Sequence, residues 1–229
     1  MNNLKTSSPH AGLILLISLI MLAGCAGREK GGSQGDEVAQ SAEEGWTSLF
    51  DGKTLDGWEI TSFGTEGPVN ISDGSIILGM GDGCTGVNLT GDFPKIGYEV
   101  SLEAKKISGN DFFCGMTFPV GDSWCSLIIG GWGGPVVGLS SIDGKDASEN
   151  ETSILKKFEH DTWYKIRLRV SQKKIEAWTD DEKIIDFETE GRELSIRPEV
   201  MLSQPFGICS WNTTAALRNI KLKDNLSEK

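Results

Sequence analysis

The sequence predicts an all-β domain built as a two-sheet antiparallel jelly-roll sandwich. Three observations carry that expectation: apolar and polar residues alternate with a period of two in several runs, Gly, Asp and Asn separate those runs, and helical periodicity is nearly absent.

The runs can be justified in chain order. Tyr98, Val100, Leu102 and Ala104 share one face of a strand, and Glu99, Ser101, Glu103 and Lys105 share the other. One face is therefore core and the other wet. Phe112 to Phe118, a turn at Pro119 to Asp122, and Ser123 to Ile129 read as a hairpin; folding it about that turn sets Met116 opposite Cys125 and makes Cys114 and Cys125 diagonal neighbours on one face. Tyr164, Ile166, Leu168 and Val170 then alternate with Lys165, Arg167, Arg169 and Ser171. A second hairpin follows, from Ile175 to Trp178 through a turn at Thr179 to Glu182 and back along Lys183 to Phe187. Strands around Gly207 to Trp211 and Ala215 to Lys223 close the chain. The total is about a dozen strands, too many for an immunoglobulin-type module and suited to a jelly roll.

The beginning of the chain has a different character. Lys5 is the one firm charge in the first ten residues, and it leads into an apolar stretch from Ala11 to Leu22, the layout of a signal peptide. At about a dozen residues that stretch is shorter than the ~20 a spanning helix needs. Leu22-Ala23-Gly24-Cys25 resembles the lipobox of bacterial lipoproteins, in which a peptidase cuts before the cysteine and the thiol takes a diacylglycerol. The expected organisation is a signal peptide over 1–24, a lipid-anchored flexible tether over 25–44, rich in Gly, Ser, Ala, Gln and acids, one globular domain over 45–224, and a polar tail over 225–229. Two or three acyl chains at Cys25 would anchor the protein stably to a membrane. The place expected is the bacterial cell envelope, and Ala26 rather than Asp after the cysteine points by analogy to the outer membrane.

The formal charge is −11, and −12 once residues 1–24 and their Lys5 are removed, which argues against nucleic acid as a partner. The acids are spread along the domain, as on a solvated surface. With Cys25 lipidated, Cys84, Cys114, Cys125 and Cys209 remain. An oxidising compartment permits two disulfides in any of three connectivities, and burial as small hydrophobes is the alternative. No pair of cysteines has zinc-site spacing, and His160 is the only histidine beyond the leader.

Trp46-Thr47-Ser48-Leu49-Phe50-Asp51-Gly52-Lys53-Thr54-Leu55-Asp56-Gly57-Trp58 resembles the opening signature of the 3-keto-disaccharide hydrolase-like family. The resemblance continues in Trp163-Tyr164-Lys165-Ile166-Arg167-Leu168 and ends in Leu217-Arg218-Asn219-Ile220-Lys221-Leu222, so it covers nearly the whole globular part. It implies a concanavalin A-like fold and the hydrolysis of glycosides oxidised at the third carbon of a sugar. A ketone acidifies the neighbouring C–H, so such a site needs a base and a group that stabilises the enolate. The sequence lacks the E-x-D-x-x-E run of related retaining glucanases. Gly109-Asn110-Asp111 stands where typical members carry an Asn-Ser-Gly segment, which carries Asn110 over as a site residue. The polar segment expected before the last strands reads Ser203-Gln204-Pro205-Phe206.

The most unusual internal segment is Gly130-Gly131-Trp132-Gly133-Gly134, followed by Asp143, Asp146, Glu149, Asn150 and Glu151. Trp132 is a candidate platform for a sugar ring, and an acid of the next loop is a candidate base or ligand for a divalent metal such as Ca²⁺. The alternative is a tight glycine turn and a solvated acidic loop. Trp124 and Trp211 are further platforms, against the alternative of core packing. Arg167 and Arg169 share a wet strand face with Lys165 and are candidates to hold an enolate or a carboxylated sugar. Asp111, Asp143, Asp146 and His160 are the candidate acids and bases. Carbohydrate is thus the expected partner besides the membrane. A hydrolase, a non-catalytic lectin-like module and a structural lipoprotein remain open, and a base converging with an enolate stabiliser in one cleft would separate the first from the others.

Overall fold

The computed structural model describes residues 45–224 and Leu226; the leader, Cys25 and the tether lie outside the described residues. The strands are β1 Thr47–Ser48, β2 Trp58–Ile60, β3 Val69–Ser72, β4 Ser75–Leu78, β5 Cys84–Leu89, β6 Tyr98–Gly109, β7 Cys114–Val120, β8 Ser123–Gly131, β9 Val136–Ser140, β10 Ile154–Leu155, β11 Trp163–Val170, β12 Lys174–Thr179, β13 Glu182–Glu188, β14 Gly207–Trp211 and β15 Thr213–Lys223. A 3-10 turn, Pro198–Ser203, precedes β14. Every pairing is antiparallel. Sheet A runs β13-β12-β11-β6-β15-β4-β3 with β1 beside β15, and sheet B runs β10-β9-β8-β7-β14-β5-β2. The two-sheet jelly roll expected from the sequence is the fold observed.

Alternation sets which side of each sheet is dry. On β6, Tyr98, Val100, Leu102 and Ala104 are at most 1% exposed, and β11 adds Ile166, Leu168 and Val170 beside them. Sheet B answers with Met116, Phe118, Leu127, Ile129 and Leu139. Each such side chain contributes about 1.5–3 kcal/mol by leaving water. Tyr98 also ties the sheets together, its hydroxyl donating to the Pro119 carbonyl across 2.6 Å.

The β7–β8 hairpin departs from the expected register. Val120 pairs directly with Ser123, so Gly121 and Asp122 alone make the turn, and Cys125 faces Phe118 rather than Met116. Gly121, at φ +62°, supplies the positive φ that a two-residue hairpin turn requires. Pro119 stays in the strand because β14 pairs with β7 only at Gly115, Met116 and Thr117, leaving no ladder bond for its missing N–H to break.

A second, smaller apolar cluster lies on the outer face of sheet B, where Cys84, Phe112, Ile128, Val136, Ala147, Val200 and Cys209 meet. Glycine on that face makes the layer possible. A Cβ on Gly115 would stand 2.8 Å from the Phe112 ring, and one on Gly138 2.9 Å from the Ala147 carbonyl. Bare backbone lets the β9–β10 loop and the 3-10 turn lie down on the sheet.

Candidate functional site

That outer layer is incomplete, and the gap is a cavity of 260 Å³. Its floor is Ser126 and Ile128 of β8 with Ser140 of β9. Cys84 and Trp211, paired across β5 and β14, form one wall. Asp111, Phe112 and Trp132 form the end, and Arg197, Glu199 and Val200 of the turn region close the top. In the floor Ser126 shares a hydroxyl hydrogen bond of 2.9 Å with its cross-strand neighbour Thr117. The volume lies just under the ~300 Å³ at which drug-sized ligand pockets begin, which suits one sugar ring rather than a long chain.

Trp132 is presented rather than packed. It is 41% exposed and takes φ +50°, a left-handed conformation that a bulky residue adopts at a cost. The flanking glycines permit it. Gly131 has no room for a side chain, since a Cβ there would stand 2.8 Å from Ile128, and Gly133 gives its N–H to Asp111 Oδ2 at 3.1 Å. Asp111 Oδ1 accepts the Phe112 N–H at 2.8 Å, while the Asp111 N–H donates to Thr213 Oγ1 at 3.1 Å. Asp111 thus holds the loop that displays the indole through Oδ2, while Oδ1 fixes its own segment.

The charged couple at the top is built differently. Arg197 donates from Nη2 to Glu199 Oε1 at 2.8 Å and from Nη1 to Asp146 Oδ2 at 3.0 Å. Asp146 is itself anchored, its Oδ1 accepting from the N–H and hydroxyl of Ser148 at 2.9 and 2.6 Å. The Arg197 guanidinium beside Glu199 holds that carboxyl below its usual value, so Glu199 is ionised at neutral pH. Arg197 and Glu199 keep unshared donors and acceptors, as five N–H groups and two carboxylate oxygens are not exhausted by these bonds.

The sequence candidates are therefore divided. Asp111, Trp132 and Trp211 line the cavity, and Asp146 reaches it through Arg197. Trp124 stands on the same outer face of β8, its indole N–H donating to Pro205 at 3.3 Å and pinning the strap after the 3-10 turn. Asn110 is exposed in the β6–β7 connection and does not line the cavity. Asp143 accepts from Glu193 N–H and Arg192 Nε at 2.9 and 2.8 Å, a clamp between two loops that lowers its pKa. His160 donates from Nε2 to the Gly109 carbonyl at 3.0 Å, at the end of the sandwich rather than in the cavity.

Arg167 and Arg169 lie on the outer face of sheet A, across the sandwich from the cavity. Arg167 stacks 3.7 Å above the Trp178 ring and pairs with Glu99 at 2.9 Å. The acidic loop fares no better as a metal site. Arg192 takes Asp143 and Glu151, Arg197 takes Asp146, and Asn150 is buried with its amide donating to Leu139, Lys145 and Asp146 carbonyls. Among the described residues no cluster of three or more His, Cys, Asp or Glu is placed to hold a metal ion. Sequence reasoning missed Arg197 and Glu199. The one local signal was Arg197-Pro198-Glu199, two opposite charges flanking a Pro at a helix start.

Comparison with known proteins agrees with the architecture. The family model described as the 3-keto-alpha-glucoside-1,2-lyase-like domain matches residues 45–223. No curated protein matches the sequence. Among solved structures, a proposed glycosyl hydrolase from Parabacteroides distasonis is 14% identical with a TM-score of 0.53, covering 81% of this chain and 96% of its own. The Crh5 transglycosylase in complex with NAG is 11% identical with a TM-score of 0.57, covering 80% and 85%. A Bacillus subtilis protein of unknown function with a galectin-like fold is 10% identical with a TM-score of 0.56, covering 78% and 98%. At these identities the likeness is one of fold.

Proposed function

The chain belongs to the 3-keto-alpha-glucoside-1,2-lyase-like family, and from that premise we propose that it cleaves glycosides bearing a ketone at the third sugar carbon. The observation that supports this most is the meeting, in one cavity, of two indoles, Trp132 and Trp211, with the ionised Glu199 and its Arg197 partner. A sugar ring lies against the indoles. Glu199 takes the proton from the carbon beside the ketone, and an Arg197 N–H stabilises the enolate oxygen that forms. The enolate then expels the aglycone oxygen from the first carbon, and water adds to the resulting double bond. Asp146 holds Arg197 in place.

We place this activity at the cell envelope, with the domain tethered through a lipidated Cys25. A second reading, carbohydrate binding without cleavage, is favoured by the fact that Arg197 and Glu199 are paired with each other, a state in which they can serve as a polar wall. One experiment separates the two. The protein is incubated with 3-keto-disaccharides and their unoxidised parents, with and without added divalent cation, and sugar release is followed. Release from the keto sugars alone supports cleavage by elimination; binding with no release supports the second reading.

A further inference from the structure

All four described cysteines are free and buried, and the fold decides which of them can meet. Cys114 and Cys125 both face the core from β7 and β8. Their cross-strand partners are Ile129 and Phe118, so four residues of strand, about 13 Å, separate them along the sheet. No bridge spans that distance. Cys209 sits opposite Gly115 on the outer face of sheet B, whereas Cys114 points inward, which excludes that pair as well.

Cys84 and Cys209 are arranged otherwise. Both belong to the apolar cluster on the outer face of sheet B. Cys84 pairs with Trp211 and Cys209 with Gly86, so the two cysteines are diagonal neighbours on adjacent strands. The neighbouring Cys84 thiol, together with burial, pushes the Cys209 thiol well above its usual range. Gly86 makes the approach possible, because a Cβ there would stand 2.7 Å from the Cys209 Cβ and occupy the space across which Cys84 leans. Cys84 also lines the cavity, so a reagent that enters the cavity meets this thiol first.

We propose that Cys84 and Cys209 form a reversible disulfide that ties β5 to β14 beneath the cavity, while Cys114 and Cys125 stay reduced. The oxidant is a disulfide, oxidised glutathione or an exposed protein disulfide. The Cys84 thiolate attacks one of its sulfurs and expels the other as a thiolate. Cys209, losing its proton, then displaces the bound half, so the protein gains one S–S bond and the oxidant leaves as two thiols. Diagonal neighbours stand about 7–8 Å apart, beyond the ~4.4–6.8 Å of a relaxed disulfide, so closure requires the backbone of the paired β5 and β14 to shift locally. A bond closed against strain is readily reduced, which makes it reversible. Cys84 is paired with Trp211, so the bond also couples redox state to a wall of the cavity.

The test uses the full chain carrying Cys25→Ser, equilibrated with oxidised and reduced glutathione over a range of ratios, then acid-quenched, alkylated and mapped by mass spectrometry without reduction. The expected product is a peptide pair joined through Cys84 and Cys209, two hydrogens lighter than the free peptides and reopened by dithiothreitol, with Cys114 and Cys125 alkylated only after denaturation. In Cys209→Ser, with an unchanged circular dichroism spectrum, Cys84 is expected to accumulate as the mixed glutathione disulfide. Full alkylation of Cys84 and Cys209 at every ratio, or a bridge from either of them to Cys114 or Cys125, would overturn the proposal.

Discussion

Nη2 of Arg197 donates to Oε1 of Glu199 across 2.8 Å, and in the proposed mechanism this contact sets the pH at which the base fails. The guanidinium lowers the Glu199 pKa, so the carboxylate persists below the ordinary glutamate value of about 4.3 and is lost only as pH falls through the lowered value. The acid limb of kcat/KM on a 3-keto-disaccharide is expected below pH ~4.3. In Arg197→Met it should move up into the ordinary glutamate range. A limb that ignores Arg197 would assign the base elsewhere.

Trp132→Ala removes a ring that is 41% exposed, so its cost is expected mainly in sugar binding rather than in stability. A loss of about tenfold in affinity corresponds to the upper range of a single aromatic contact. Asp111→Ala should weaken binding comparably, because Asp111 acts through the Gly133 N–H on the same loop. The double variant is expected to be less than additive by titration calorimetry.

Asn150 is 6% exposed, donates to three carbonyls and accepts from the N–H and hydroxyl of Thr152. Asn150→Ala leaves the buried Thr152 N–H and hydroxyl without their acceptor, while the Lys145 and Asp146 carbonyls keep backbone donors, and should cost about 2–4 kcal/mol in urea unfolding. Exposed Glu149→Ala, one residue earlier, should stay within about 0.5 kcal/mol.

Arg167→Ala tests the sidedness of the molecule. The residue lies on sheet A with Trp178 and Glu99, so sugar release should be unchanged, while stability falls by about 1 kcal/mol or less. A large loss of activity would place the site on the wrong sheet.

Cys25→Ser is expected to move the protein from the membrane pellet to the soluble fraction of cells that express it, read by immunoblotting. A variant that stays in the pellet would contradict anchoring through that thiol.

The strands were legible because β6 and β11 carry a strict period of two, and a core face forces that pattern on any sequence. The β7–β8 register was not. Pro119 reads as a turn residue, and only the unpaired edge of β7 beyond Thr117 explains how it stays in the strand. Trp132 was legible from its glycines, whose small size is a local property. Arg197 and Glu199 were hidden because their chemistry depends on Asp146 and on a 3-10 turn laid across sheet B from far along the chain. Arg167 misled for the converse reason: alternation says that a residue is outside a sheet, but not which sheet the cavity occupies.

The most direct test of the account is hydrogen exchange at the carbon beside the ketone. A 3-keto-disaccharide is incubated in D₂O with the protein and with Glu199→Gln, and deuterium uptake and aglycone release are followed together by NMR. Uptake and release are expected with the native protein and the loss of both in Glu199→Gln, with the variant still binding the sugar. Release that proceeds at the native rate in Glu199→Gln would contradict the proposed mechanism.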